Sequence, residues 1–164
     1  MKRLSILTLT MIALAGFMAT TVRADSPHFI KVSSSFDTKT GEFCVTFKEA
    51  GLGNTPVTYV LSAPGSTFVY QCFTKSNNTP QGSPNGVSPS DVSTSTTITP
   101  RNGQVSATIC LTPQQDGASC QGGGLVLRLV GTDYDNISFT DGLGNTVTFD
   151  DVCSGQGCVA PFGP

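Results

Sequence analysis

The chain has no tryptophan, a single histidine (His28) and few charges for its 164 residues. Lacking Trp, it cannot carry the buried indole of antibody domains. It also lacks the broadest aromatic platform on which a sugar ring stacks, and Tyr134 alone does not make a binding groove. With one His, a Ser-His-Asp hydrolase would have to use His28 as its base. That residue is the fourth of the expected mature chain, and a terminal segment is a poor rigid mount. The alternative is a first-strand residue whose ring bonds to backbone. Helix signals are also missing. Beyond residue 24, no window repeats apolar residues at i, i+3, i+4 and i+7 over three turns.

The first 24 residues differ from the rest. Lys2 and Arg3 precede an apolar run from Leu4 to Phe17, and Val22-Arg23-Ala24 supplies small residues at −3 and −1. That pattern predicts a Sec-type signal peptide cut after Ala24, and a product secreted or left in the periplasm. The run is shorter than the roughly 18 to 20 apolar residues of a membrane span, so no span is expected. No Cys follows the cut to take a lipid. The remainder, 25–164, is sized for a single domain. Six of the nine Lys and Arg follow residue 24, as do all eleven Asp and Glu. An acidic chain without a basic stripe is a poor ligand for nucleic acid.

All six cysteines lie beyond residue 24, and none forms a paired CxxC or Cys/His knot. In an exported chain they read as three disulfides, drawn from 15 possible pairings. Cys153 and Cys158 enclose Ser-Gly-Gln-Gly, a link flexible enough to close locally. Cys72 and Cys120 each border a loop at a strand end. Cys44 and Cys110 sit mid-strand and point away from inward-alternating neighbours, which suits a bond between adjacent strands. The expected set is therefore Cys44–Cys110, Cys72–Cys120 and Cys153–Cys158. The spacing leaves other pairings open, including Cys44 with Cys72 or Cys120.

Short runs rich in Val, Thr, Ile, Phe and Tyr alternate with Gly, Pro, Asn and Asp. They predict strands over 32–36, 43–47, 56–61, 67–73, 92–99, 104–111, 125–130, 137–139 and 146–149. Asn102-Gly103 between two such runs predicts a type I′ hairpin. Residues 75–92, crowded with turn-makers, read as one long irregular loop that is a candidate contact region. Residues after 149 read as a short Cys-containing tail. About eight strands without helices predict an all-β, two-sheet, antiparallel immunoglobulin-like β-sandwich stapled by disulfides. A jelly roll or partly open barrel is the alternative.

One internal echo stands out. Phe47-Lys-Glu-Ala-Gly-Leu-Gly-Asn-Thr55 precedes Pro56-Val-Thr-Tyr59, and Phe139-Thr-Asp-Gly-Leu-Gly-Asn-Thr146 precedes Val147-Thr-Phe149. This reads as one hairpin design used twice, with Gly and Asn supplying positive φ and Leu dipping back to the core. Phosphate-cradling loops precede a helix, and no helix is expected after either copy.

Asp133, Asp135, Asp150 and Asp151, with Asp141, gather in the last third of the chain. They are candidates for a paired-carboxylate glycosidase. They are also weak candidates for Ca²⁺, although their spacing is not that of an EF-hand. Their default role is as solvated residues at loops and strand ends.

Pro27-His28-Phe29, Lys48-Glu-Ala-Gly-Leu-Gly-Asn54 with Val57 and Tyr59, Gln71-Cys72 and Asn102-Gly-Gln104 occur in that order. In this order of features the chain resembles an uncharacterised group of small secreted bacterial β-sandwich proteins with no assigned activity. The resemblance implies export, a sandwich and a Cys72–Cys120 bond. Cys44, Cys110, Cys153 and Cys158 depart from the simpler members. The expected function is a secreted, non-enzymatic module that meets an extracellular protein or an envelope component. The alternatives are a carbohydrate-active enzyme or binder using the C-terminal acids, and a pilus-like or fibre subunit.

Overall fold

The computed structural model describes residues 26–87, 89, 91–156 and 158. The expected signal peptide, residues 1–24, lies outside them. The described residues form strands and turns, with no helix.

A three-stranded antiparallel sheet holds β1 (His28–Asp37), β2 (Glu42–Ala50) and β7 (Val105–Leu111) in that order. Its pattern follows from period-two alternation. Phe43, Val45, Phe47, Val105, Ile109 and Leu111 point inward and are buried, while Thr46, Lys48, Ser106 and Thr108 face solvent. On that outer face Thr46 and Thr108 share a hydrogen bond of 2.8 Å. Cys44 and Cys110, directly opposed in the β2–β7 register, are joined with Cα atoms 4.0 Å apart. Asn102 and Gly103 both take positive φ, 51° and 70°, between the paired Arg101 and Gln104. This is the two-residue hairpin that the sequence predicts.

Two four-stranded sheets make the opposing layer. One has the order β10 (Thr146–Thr148), β9 (Ser138–Asp141), β3 (Val57–Ser62), β6 (Ser93–Ile98). The other has the order β11 (Val152–Gly155), β8 (Leu125–Tyr134), β4 (Thr67–Thr74), β5 (Pro80–Val87). The orders match because β3 continues as β4, β5 as β6, β8 as β9 and β10 as β11. Each pair is one long strand broken at a common level. Hydrogen bonds from Ala63 N to Val92 O (2.8 Å) and from Phe149 N to Ile137 O (3.0 Å) carry the ladder across the break. Pro64 and Gly65 sit in the break between β3 and β4, and Asn136, at φ 55°, sits in the one between β8 and β9. The eleven strands are thus seven long ones, three packed against four, and no sheet closes into a barrel.

Phe47 reaches Tyr59 and Phe139 at ring-centroid distances of 4.5 and 4.8 Å, and Phe43 reaches Tyr134 at 6.1 Å. β2 therefore packs on both halves of the broken layer. Burying each such ring contributes on the order of 1.5–3 kcal/mol.

Two expectations need correction. Residues 75–92 are not one irregular loop, since Pro80–Val87 pairs with β4 as an edge strand. Its residues are exposed apart from half-buried Val87, so no apolar alternation marks it. Pro80 and Pro84 are tolerated because an edge strand keeps one side unpaired. The C-terminal segment is likewise not only a tail, because Val152–Gly155 pairs with β8. A Cβ on Gly131 would lie 1.8 Å from Gln156 O, and one on Gly155 would lie 2.1 Å from Val130 O. The two strands approach this closely only because both positions are glycine.

Candidate functional site

Three disulfides join the cysteines: Cys44–Cys110, Cys72–Cys120 and Cys153–Cys158. The second ties β4 to the segment after β7, and the third joins Cys153 within β11 to Cys158.

The acids singled out from the sequence sit at the break in the four-stranded layer. Asp133 and Asp135 are half-buried, while Asp150 and Asp151 are exposed. Burial, then the neighbouring Asp135 and Asp151 carboxylates, raises the Asp133 pKa. Burial and Asp151 do the same to Asp135. Asp151 Oδ1 accepts a hydrogen bond from Asn136 N at 2.9 Å, which fixes the turn. The four do not assemble a cation cage. Among the described residues the one group of three potential ligands within 4.8 Å is Glu42, Cys44 and Cys110, and its two sulfurs are already bonded to each other. His28 opens β1, with Nδ1 2.9 Å from Ser26 O.

A second cluster of perturbed groups, Glu49, Tyr59 and Asp141, was not among the sequence candidates for chemistry. Glu49 ends the inward stripe of β2 and is fully buried. The Tyr59 hydroxyl on β3 donates to Glu49 Oε2 at 2.8 Å. Glu49 Oε1 is buried and has no donor to accept from. Facing it is Asp141, the last residue of β9 and 5% exposed. Asp141 is well supplied with donors. Its Oδ1 accepts from Leu143 N (3.0 Å) and Asn145 N (2.7 Å), and its Oδ2 accepts from Asn145 Nδ2 (2.6 Å).

These surroundings divide the two acids. Burial, then the Asp141 contact, pushes Glu49 up to about 7, against opposing pulls from Tyr59 and His28. Burial also works to raise Asp141, but hydrogen bonds from the Asn145 side chain, Glu49 and the turn amides outweigh it and hold Asp141 low. One proton on Glu49, donated to the Asp141 carboxylate, therefore satisfies the orphaned oxygen and relieves the like-charge contact. The Tyr59–Glu49 hydrogen bond, with Asp141 beside it, links the three-stranded sheet to the four-stranded one.

Glu49 and Asp141 occupy the same position in the sequence echo, two residues after Phe47 and Phe139. The two copies meet face to face, ring on ring and acid on acid. That shared offset was the available signal. In other respects the copies diverge from the expected hairpin design. Leu52 is buried, but Leu143 is 53% exposed. Gly51 and Gly144 take positive φ, whereas Asn54 and Asn145 do not. Asn145 instead spends its side chain on Asp141 and on Pro27 O.

Set against family models, curated proteins and solved structures, the chain matches none. Its class rests on its own features. Three disulfides fit an extracellular or periplasmic protein, and among the described residues no helix is long and apolar enough to cross a membrane.

Proposed function

We propose that the chain is an exported, non-enzymatic module, released by cleavage after Ala24, that recognises an extracellular protein or an envelope component through its surface. The observation that carries this reading is where the acid chemistry sits. Among the described residues, the one carboxyl pair whose ionisation is pushed in opposite directions is buried between the sheets. Catalytic pairs need that division in a cleft. The sandwich is proposed to be immunoglobulin-like. Seven long strands match the constant-type count, although the fourth, β5 with β6, pairs with β3 and β4 rather than with β7.

A second reading, a carbohydrate-active enzyme or binder, draws on half-buried Asp133 and Asp135. A third, a fibre subunit, draws on the exposed sheet edges. The deciding experiment incubates the mature protein with soluble glucans, xylan and chitin oligomers and follows release of reducing ends. No release above buffer is expected. Turnover that disappears in Asp133→Asn or Asp135→Asn would sink the non-enzymatic reading. N-terminal sequencing of the exported protein should begin at Asp25.

A further inference from the structure

Where the two layers part at one side of the molecule, each ends in an edge strand. Among the described residues β7 pairs only with β2, and β6 only with β3, so each keeps a row of backbone groups without a strand partner there. The hairpin at Asn102-Gly103 joins them, and between them opens a cavity of about 410 Å³. Its walls carry Ile98 from the end of β6 and Thr99 just after it, and Val105 and Ser106 from the start of β7. Lys48 and Arg101 stand over it, both exposed, and no acid lines it. Lys31 lies directly across from Lys48 in the β1–β2 register. Three of the six cations beyond residue 24 therefore gather at this end of an otherwise acidic chain.

We propose that this cleft binds an extended acidic peptide segment of a partner protein, which joins an edge strand as an added strand. The inference rests on the recognition-module reading and names the partner's chemistry. Each part of the cleft matches one feature of such a segment. An edge strand offers hydrogen bonds that only another extended backbone can take up in series. Ile98 and Val105 give an apolar floor for alternate side chains of the guest. Lys48 and Arg101 favour carboxylates on the remaining side chains, and no acid is among the lining residues. The volume falls within the range of specific binding sites.

The test uses the mature protein and fluorescein-labelled hexapeptides, read by anisotropy. One alternates valine with glutamate, and its counterpart alternates valine with lysine. The glutamate peptide is expected to bind at least tenfold more tightly than the lysine peptide, and to weaken as salt screens the charges. Joint replacement Lys48→Glu and Arg101→Glu should lower its affinity at least tenfold. N-methylation of alternate peptide amides should abolish binding, because it removes the strand ladder. On the unaltered protein, amide NMR shifts should concentrate at Ile98, Thr99, Val105 and Ser106, a readout that does not depend on any variant folding. Equal binding of the two peptides would overturn the proposal. So would retained binding after N-methylation, glutarate binding as tightly as the peptide, or shifts confined to other surfaces. Each of these outcomes removes the cleft assignment alone, whereas polysaccharide turnover removes the module reading beneath it.

Discussion

Two tyrosines, Tyr59 and Tyr134, mark two halves of the core that are built alike and finished differently. Both are fully buried, and both sit among phenylalanines contributed by the two layers. Tyr59 packs on Phe47 and Phe139, while Tyr134 packs on Phe43, Phe36 and Phe68. The difference lies in the hydroxyl. Tyr134 donates to a backbone carbonyl, Leu111 O, at 3.3 Å. Tyr59 donates to Glu49, which leans on Asp141. One half is closed by a partner that never changes charge, and the other by a partner that does. Similar aromatic packing thus ends on a backbone carbonyl in one half and on a titratable carboxyl in the other.

The comparison breaks most severely when a ring is removed from either half. Phe47→Ala and Phe43→Ala each delete a buried ring, and each should cost about 3–5 kcal/mol in urea unfolding. If Phe47→Ala cost less than about 1 kcal/mol, the half around Tyr59 would not be the packed core described. Next in size is Glu49→Gln. Glu49 ionises more easily unfolded than folded, so its contribution is fully present below about pH 4.5 and declines as pH rises toward about 7. Asp141 has the opposite sign, and its contribution is lost as pH falls through its lowered folded value. Stability should therefore peak near pH 4 to 5. Glu49→Gln, which keeps the shape and supplies an uncharged donor, should remove a decline of about 1–3 kcal/mol between pH 5 and 8. Parallel melting curves for the two proteins across that range would count against the proton-sharing pair.

Smaller still is the loss of either hydroxyl. Tyr134→Phe should cost about 1 kcal/mol at every pH from 5 to 8. Tyr59→Phe should cost about 1 kcal/mol at pH 5 and about 2 kcal/mol at pH 8, where its acceptor has become a carboxylate. Equal slopes for both variants would show that the two halves do not differ in the way their hydroxyl partners imply.

Much of this architecture was legible in the sequence, for identifiable reasons. β2 and β7 alternate cleanly because one face is buried and the other wet, and Asn102-Gly103 fits the only tight turn that can join β6 to β7. β5 was hidden because Pro80–Val87 is almost wholly exposed, so hydrophobic periodicity carries no information there. The break between β3 and β4 has no signal of its own, since Pro64-Gly65 suits a turn between separate strands as well as an interruption of one. The acid pair was hidden for another reason. A buried carboxyl usually betrays itself by a nearby cation, but Glu49 is compensated by a proton and a tyrosine, and neither has a sequence signature.

The smallest expected effect concerns the echo itself. If the two Gly-Leu-Gly-Asn segments were one structural device used twice, Leu52 and Leu143 would matter alike. Leu52 instead lies in the core, and its amide bonds to Gly103 O at 3.0 Å, so the first copy is anchored against the β6–β7 hairpin. Leu143 points to solvent on a turn held by Asp141 and Asn145. Leu143→Ala should thus change unfolding free energy by less than about 0.5 kcal/mol, as for other surface substitutions. A cost above about 2 kcal/mol would mean that Leu143 is covered in solution. What the two copies share is the placement of an acid two residues after a core phenylalanine, and the copies touch at both the rings and the acids.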